Sequence, residues 1–220
     1  MIKLPISKKS FEYENNFYLS CKNDRISKFL AHYELYKLSQ NIPGDIVECG
    51  IFKGVSFTRL ATFRDLFEKS SIKRIIGFDT FGKFPKNQFK LDKKPRTKFL
   101  SEAGEQSISE KQLNKILMNK GIKEKIVLVK GDITKTIPEY VKKNPKLKIS
   151  LLNLDVDMYE PSKTILEELY PKITTGGILI LDDYNTWPGE TKAVDEYFKN
   201  KKIKIHKFPF AKSPYYIIKN

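Results

Sequence analysis

Acidic residues lie at the ends of short apolar segments throughout this 220-residue sequence. They are Glu48, Asp79, Asp132, Asp155 with Asp157, and Asp182 with Asp183. One such aspartate is most often a helix cap or a turn residue. Four acids after two neighbouring strands are different, because their mutual repulsion would be costly or would keep some of them protonated. We therefore expect a hard divalent cation of the Mg²⁺ type, bound through carboxylate oxygens, at the last two groups.

The first apolar segment leads into a turn that contains Gly50, Gly54 and Ser56. Glycine lets the backbone bend tightly and lets a ligand approach it, and Ser56 with the first N–H groups of a helix could hold a carboxylate. A dinucleotide fingerprint would need glycine at Phe52, and the phosphate-loop pattern is absent. Since Asp79 is well placed to accept hydrogen bonds from a ribose diol, the pattern favours a nucleoside without pyrophosphate, and S-adenosylmethionine is the obvious candidate.

Strands and helices must alternate to bring these residues together. Apolar runs predict strands at 45–49, 74–78, 125–129, 149–154 and 178–181, followed by a C-terminal pair at about 202–208 and 215–219. Helical spacing predicts helices at 55–69, 109–119, 137–143, 161–170 and 191–199. The alternation indicates an α/β fold with a parallel sheet, whose carboxyl ends are where ligands bind. Residues 1–44 are expected to form a helical extension, with a helix from Asp24 that ends at Pro43-Gly44.

Composition excludes several classes of protein. Apolar residues are 40% and charged residues 30% of the chain, which is typical of one soluble domain over 1–220. No apolar run is long enough to span a membrane, and the N-terminus does not resemble a secretory signal. Cys21 and Cys49 alone make no disulfide framework, so we expect a cytoplasmic location. The net charge of +15 comes largely from scattered lysines, which favours compositional bias over a nucleic-acid partner.

Five stretches of the sequence together resemble the macrocin O-methyltransferase family. They are residues 48–56, 79–81, 131–132, 154–160 and 170–184, and the resemblance runs from about 24 to 198. Members of that family use S-adenosylmethionine and Mg²⁺ to methylate sugar hydroxyls of antibiotics and other natural-product glycosides. The resemblance implies a class I methyltransferase (Rossmann-like) fold, with a seven-stranded sheet that is mostly parallel and has an antiparallel C-terminal strand.

The resemblance also implies roles for individual residues. The donor would be bound by Glu48, Gly50, Phe52, Gly54, Ser56, Asp79, Thr80, Asp132 and Ile133. Within this set, Glu48, Gly50 and Ser56 would face the methionine end, Asp79 the ribose, and Asp132 and Ile133 the adenine. Asp155, Asp182 and Asp183 would hold the metal. The role of Asp157 stays open between facing the substrate and hydrogen-bonding the helix that follows.

A more distant resemblance, to catechol O-methyltransferase, covers the first turn and the metal acids. Met158 stands where that family has a lysine base, and Asp183 stands where it has an asparagine ligand. A sugar acceptor is therefore preferred, with a phenol-type O-methyltransferase as the alternative and a nucleic-acid methyltransferase as a more remote one. Asp155 is expected to be the catalytic residue, which takes the proton from a hydroxyl that the metal acidifies.

Residues 82–108 are expected to be irregular and to form a lid over the site. Its basic residues are Lys83, Lys86, Lys90, Lys93, Lys94, Arg96 and Lys98. Asp92 is the single acidic residue between 83 and 98. Such a lid could meet an anionic acceptor such as a nucleotide-linked sugar; a mobile solvated loop is the alternative. Trp187, Tyr159 and Tyr184 are candidates for the acceptor pocket, and both histidines are expected to be structural. The family resemblance also suggests a homo-oligomer.

Overall fold

Seven strands pair into one sheet in the computed structural model, which describes residues 2–68, 73–85 and 89–220. The strands are β1 (Asp45–Cys49), β2 (Ile75–Asp79), β3 (Ile126–Lys130), β4 (Ile149–Leu154), β5 (Ile173–Leu181), β6 (His206–Lys207) and β7 (Tyr215–Ile218). Their order across the sheet is β3-β2-β1-β4-β5-β7-β6. The pairs among β1 to β5 are parallel, and β7 runs antiparallel to both β5 and β6. The predicted fold class is therefore confirmed.

Helices cover both faces of this sheet. They are α1 (Ser10–Ser20), α2 (Asn23–Ser39), α3 (Val55–Phe67), α4 (Lys93–Ala103), α5 (Glu110–Asn119), α6 (Ile133–Lys143), α7 (Tyr159–Glu168) and α8 (Pro188–Phe198). Helices α2, α3 and α5 bury apolar side chains in one core, and α6, α7 and α8 do so in the other. None of the helices in the described ranges is both long and apolar enough to cross a membrane.

The structure departs from the sequence expectations mainly at element boundaries. Helix α1 lies within the helical extension expected for residues 1–44, although no separate helix was predicted before Asp24, and α6 begins at Ile133 rather than 137. Strand β5 begins at Ile173, five residues before the predicted start at 178. Its first part was missed because it contains Gly176 and Gly177, and glycine is depleted in strands. Strand β6 is reduced to two residues. Residue 69, the last residue of the helix predicted at 55–69, lies outside the described residues.

The largest correction concerns residues 82–108, which are not irregular throughout. They contain a short 3₁₀ turn at Lys90–Asp92 and helix α4. Pro95 is the third residue of α4, where it is tolerated because the first turn of a helix needs no N–H donors there. The lysine-rich sequence hides this helix, since Phe99 and Leu100 are the only large apolar residues along it.

Strand register explains why the candidate residues meet. Parallel pairing places Cys49 beside both Phe78 and Leu154, and Leu154 beside Leu181, so these strands end at one edge. The chain also passes very closely at this edge. A Cβ added to Gly50 would lie 1.6 Å from the carbonyl oxygen of Asp155. Only glycine fits at this position, which joins the predicted donor turn to the acid cluster.

Candidate functional site

A cleft of about 840 Å³ opens at the carboxyl edge of the sheet. Its floor comes from the turn after β1 and from the residues that follow β2, β3, β4 and β5. One wall comes from α2 and α3, and another from the segment 82–108. Seven of the nine predicted donor-binding residues line it: Gly50, Phe52, Ser56, Asp79, Thr80, Asp132 and Ile133. All three predicted metal ligands line it as well.

Asp79 joins the ends of β1 and β2. Its Oδ2 accepts hydrogen bonds from the N–H groups of Ile51 (2.8 Å) and Phe52 (3.0 Å), and its Oδ1 accepts one from Phe81 (2.6 Å). These bonds hold Phe52 and Phe81 in left-handed backbone conformations, with φ of 46° and 48°. The carboxylate therefore shapes the glycine turn, and the predicted contact with a ribose would share oxygens that already accept backbone N–H groups.

Glu48 lies beneath the cleft rather than on its surface. It is fully buried, and Ser56 donates a hydrogen bond of 2.6 Å to its Oε1. Its Oε2 has no hydrogen-bond partner among the described residues. Burial raises the pKa of Glu48 to about 8, despite the bond from Ser56. Glu48 thus positions Ser56, and its predicted contact with the donor stays a prediction.

Gly54 and Asp132, two other residues predicted to bind the methyl donor, lie at the starts of helices. Gly54 does not line the cleft; it precedes α3 with a φ of 84°, a conformation that glycine adopts without strain. Asp132 lines the cleft and caps α6, since its Oδ1 accepts hydrogen bonds from the N–H (3.0 Å) and hydroxyl (2.7 Å) of Thr134. These residues shape the cleft through its turns and helix ends.

Three carboxylates form the candidate metal group. Oxygen atoms of Asp155, Asp157 and Asp183 all lie within 4.8 Å of one another. Burial raises the pKa of Asp157 to about 8, and burial together with neighbouring acids raises the pKa of Asp155 and of Asp183. The carboxylates of Asp157 and Asp183 lie close enough to repel each other when both are ionised. Closely spaced hard oxygen donors that resist ionisation suit Mg²⁺, which would relieve their repulsion.

Asp182, the other predicted ligand, points toward helix α2 instead. The ammonium of Lys28 donates to its Oδ2, and the His32 ring lies 3.3 Å from its Oδ1. Arg59 contacts the other ring nitrogen of His32 at 3.1 Å. Because a guanidinium can only donate, Nδ1 of His32 accepts and Nε2–H donates to Asp182. The structure therefore brings together Asp155, Asp183 and Asp157, and Asp182 as a ligand stays a prediction.

Glu190 is a further buried acid beside this group. It lies in the first turn of α8, is fully buried, and its Oε1 accepts the N–H of Asp183 at 3.0 Å. Its Oε2 has no hydrogen-bond partner among the residues that the structure describes. Burial and the nearby Asp183 raise its pKa well above the ordinary value. Glu190 thus holds the backbone of Asp183, one member of the candidate metal group.

Aromatic side chains form the wall on the side of the segment 82–108. The Phe99 ring lies 5.3 Å from that of Phe52, 5.7 Å from that of Phe84 and 6.0 Å from that of Trp187. Beyond them, the fully buried Asp92 accepts the N–H of Gly189, at the start of α8, at 2.7 Å. The segment is therefore docked on the metal side of the cleft.

The basic residues that the structure describes in this segment do not line the cleft. The segment lines it with Phe84, Pro85, Phe99, Ala103 and Ser107. None of its described lysines nor Arg96 is among the lining residues, and Lys86 lies outside the described residues. Tyr159 and Tyr184 do not line it either, because their hydroxyls donate to Glu196 and Asp195. The described residues of the segment therefore offer aromatic rather than cationic side chains to the cleft, and its role as a lid stays a prediction.

Several site residues were missed by the sequence analysis. Arg25, Lys28 and Arg59 supply the cations of the cleft, together with Lys53. Arg25, Lys28 and His32 are spaced by three and four residues, so this polar stripe on the predicted helix was the available signal. His32 had been expected to be structural, and it is buried as expected, although it contacts a site acid. For Glu190 no sequence signal existed, since its role depends on where α8 begins.

Comparisons with known proteins agree with this architecture. A family model described as macrocin-O-methyltransferase (TylF) matches residues 23–208. The apo structure of CalS11, a TDP-rhamnose 3′-O-methyltransferase in calicheamicin biosynthesis, superposes with a TM-score of 0.71 at 28% identity. That superposition covers 98% of this chain and 87% of the other.

Two curated proteins from Streptomyces are also similar in sequence. Demethyldecarbamoylnovobiocin O-methyltransferase of Streptomyces niveus is 28% identical over 171 residues, or 73% of this chain. The 8-demethyl-8-(2,3-dimethoxy-α-L-rhamnosyl)-tetracenomycin-C 4′-O-methyltransferase of Streptomyces olivaceus is 27% identical over 153 residues, or 67% of this chain. The chain spans 60% and 55% of the length of these two relatives.

Proposed function

Since the chain belongs to the macrocin O-methyltransferase family, we propose that it transfers a methyl group from S-adenosylmethionine to a sugar hydroxyl, with Mg²⁺ as metal cofactor. One observation supports this most directly. The glycine turn expected to bind the donor and the group of Asp155, Asp157 and Asp183 line the same cleft. A methyl donor and a hydroxyl held by these two parts would lie next to each other.

The residues of the chain would act mainly by orientation. S-adenosylmethionine supplies an activated methyl group when it is bound. Gly50 allows a close backbone approach beneath it, while Ser56, Asp79 and Ile133 line its pocket. Holding two reactants in line makes a bimolecular reaction effectively unimolecular, which accounts for much of the acceleration in such reactions.

The carboxylates of the cleft would hold the metal and accept the proton of the sugar hydroxyl. Asp155 and Asp183, with Asp157 or Asp182 as a third ligand, would hold the metal. Mg²⁺ supplies the acidity that a sugar hydroxyl lacks at neutral pH. Asp155 accepts the proton as the general base, in keeping with its position in the cleft between the donor turn and the acids.

The proposed acceptor is a sugar, either nucleotide-linked or part of a glycoside. The names of two relatives support these alternatives, because CalS11 is a TDP-rhamnose 3′-O-methyltransferase and the Streptomyces olivaceus protein is a 4′-O-methyltransferase of a rhamnosyl-tetracenomycin-C. Trp187 and Phe99 offer aromatic surface against which a sugar ring could pack. An oligomeric assembly and a cytoplasmic location stay predictions.

Asp155→Asn tests the assignment. This variant should lose methyl transfer and still bind S-adenosylhomocysteine, measured by isothermal titration calorimetry. Glu139→Gln, an exposed position on α6, is the matched control and should keep full activity. Methyl transfer should be screened with TDP-sugars and with glycosides, with and without EDTA. Chelator-insensitive transfer would remove the metal from the proposal, and full turnover by Asp155→Asn would remove Asp155 as the base.

A further inference from the structure

Lys28 brings a positive charge into the acid cluster from the N-terminal region of the chain. It lies on α2, lines the cleft, and its ammonium contacts Oδ2 of Asp182. The side chain of Asp182 is 1% exposed and that of Lys28 is 26% exposed. Arg25 and His32 lie one turn before and after it on the same face of α2. This helix is therefore part of the site, although none of the residues predicted from the sequence lies on it.

The local charge balance shows what Lys28 does in the protein without a metal. Asp155, Asp182 and Asp183 all interact electrostatically with its ammonium. Its direct ion pair is with Asp182, whose side chain is buried. Because like charges this close repel one another, a cation beside them relieves that repulsion. Lys28 thus supplies a positive charge to the cluster when no metal is bound.

We propose that Lys28 is a resident counter-ion of the acid cluster, which the divalent cation displaces from Asp182 when it binds. This inference rests on the proposed function, because it assumes a metal at Asp155 and Asp183. Lysine suits such exchange, since a flexible four-carbon stem carries its charge. Lys28 lies at the cleft surface, so its ammonium can move into solvent without disturbing the core. Lys28 is a positioning residue here: it acts through Asp182.

The proposal predicts the direction of a change in metal affinity. A single positive charge within about 5 Å of a divalent cation repels it, and in water-like surroundings this corresponds to about tenfold in affinity. Lys28 also competes for Asp182. Both effects weaken metal binding, so Lys28→Met should bind Mn²⁺ about tenfold more tightly than the natural chain. Lys28→Arg keeps the charge and should stay close to the natural affinity.

Mn²⁺ titration followed by electron paramagnetic resonance is the test, because it needs neither donor nor acceptor. Lys37→Met is the matched control: Lys37 lies on the same helix, is exposed, and pairs with Glu34. It should leave Mn²⁺ affinity unchanged. Melting temperatures in EDTA and in Mg²⁺ complete the measurement. Lys28→Met should be less stable than the natural chain in EDTA and should gain more from Mg²⁺.

A second measurement uses the natural chain, so it does not depend on a variant that folds. Reductive methylation followed by mass spectrometry reports how accessible each lysine amine is. Lys28 should react several times faster with Mg²⁺ than in EDTA, while Lys37 should react equally in both. Equal reactivity of Lys28 in both conditions, or equal or weaker Mn²⁺ binding by Lys28→Met, overturns the counter-ion role alone. Failure of both proteins to bind Mn²⁺ overturns the metal site itself, and this inference with it.

Discussion

Asp92 fastens the segment 82–108 to the metal side of the cleft, and replacing it with alanine should release that segment. The Asp92 carboxylate is fully buried and accepts the N–H of Gly189 at 2.7 Å. This places a negative charge at the N-terminus of α8, where the helix dipole favours it. The fit is tight, because a Cβ on Gly189 would lie 2.2 Å from Oδ2 of Asp92.

The size of the effect follows from these contacts. A hydrogen bond to a charged acceptor contributes about 1.5 to 3 kcal/mol. A loss of about 2 kcal/mol corresponds to an increase of about 30-fold in the population of the undocked segment. The aromatic contacts of Phe99 with Phe52 and Trp187 remain in Asp92→Ala. The rest of the protein should therefore stay folded while the segment opens more often.

Limited proteolysis measures this population directly. Cleavage of a transiently open segment follows the open fraction when closing is fast. Trypsin cleavage after Arg96 or Lys98, both in α4, should be about 30-fold faster in Asp92→Ala. Leu91→Ala is the control, since Leu91 is 64% exposed beside Asp92. Trp187, the single tryptophan and 7% exposed, should become easier to quench with acrylamide. Equal cleavage rates in Asp92→Ala and Leu91→Ala would refute the role of Asp92.

Three further changes test the packing of the site. The pKa of Glu48, about 8 against an ordinary 4.5, means that folding favours its protonated form, and this stability is lost as pH rises through about 8. Glu48→Gln should thus melt above the natural chain at pH 9 by more than at pH 6; a gap independent of pH would contradict this. Gly77→Ala places a Cβ 2.5 Å from the Ile51 side chain and should cost about 1 to 3 kcal/mol in urea unfolding, so an unchanged midpoint would disprove the clash. Gly50→Ala pushes against the Asp155 carbonyl and should weaken S-adenosylhomocysteine binding about tenfold or more by calorimetry, where an unaltered Kd counts against the predicted donor turn.

The order of strands and helices followed from local patterns. Strand β4, for example, is buried along its whole length and apolar at four of its six positions, which is typical of a strand covered on both faces. The helix at 93–103 escaped prediction for the opposite reason. Its lysines show no apolar periodicity, and its position is maintained by contacts of Asp92, Phe99 and Trp187 that are distant in sequence.

The candidate site was predictable to the extent that strand ends define it. Gly50, Asp79, Asp155 and Asp183 lie at the carboxyl edge because parallel pairing places all these ends together. The direction in which each side chain points was not predictable from the strand ends. Glu48 turns beneath the cleft toward Ser56.

The sequence by itself therefore determined the parallel sheet, the edge that carries the acids and the glycine turn, because hydrophobic periodicity and residue type act over a few neighbouring positions. Only the tertiary structure decided the partners of those acids. Asp182 pairs with Lys28, which lies 154 residues earlier, and the backbone N–H of Asp183 bonds to Glu190 at the start of the next helix. Charge pairing depends on distances of a few ångströms, and the packing of α2 and α8 on the sheet sets those distances.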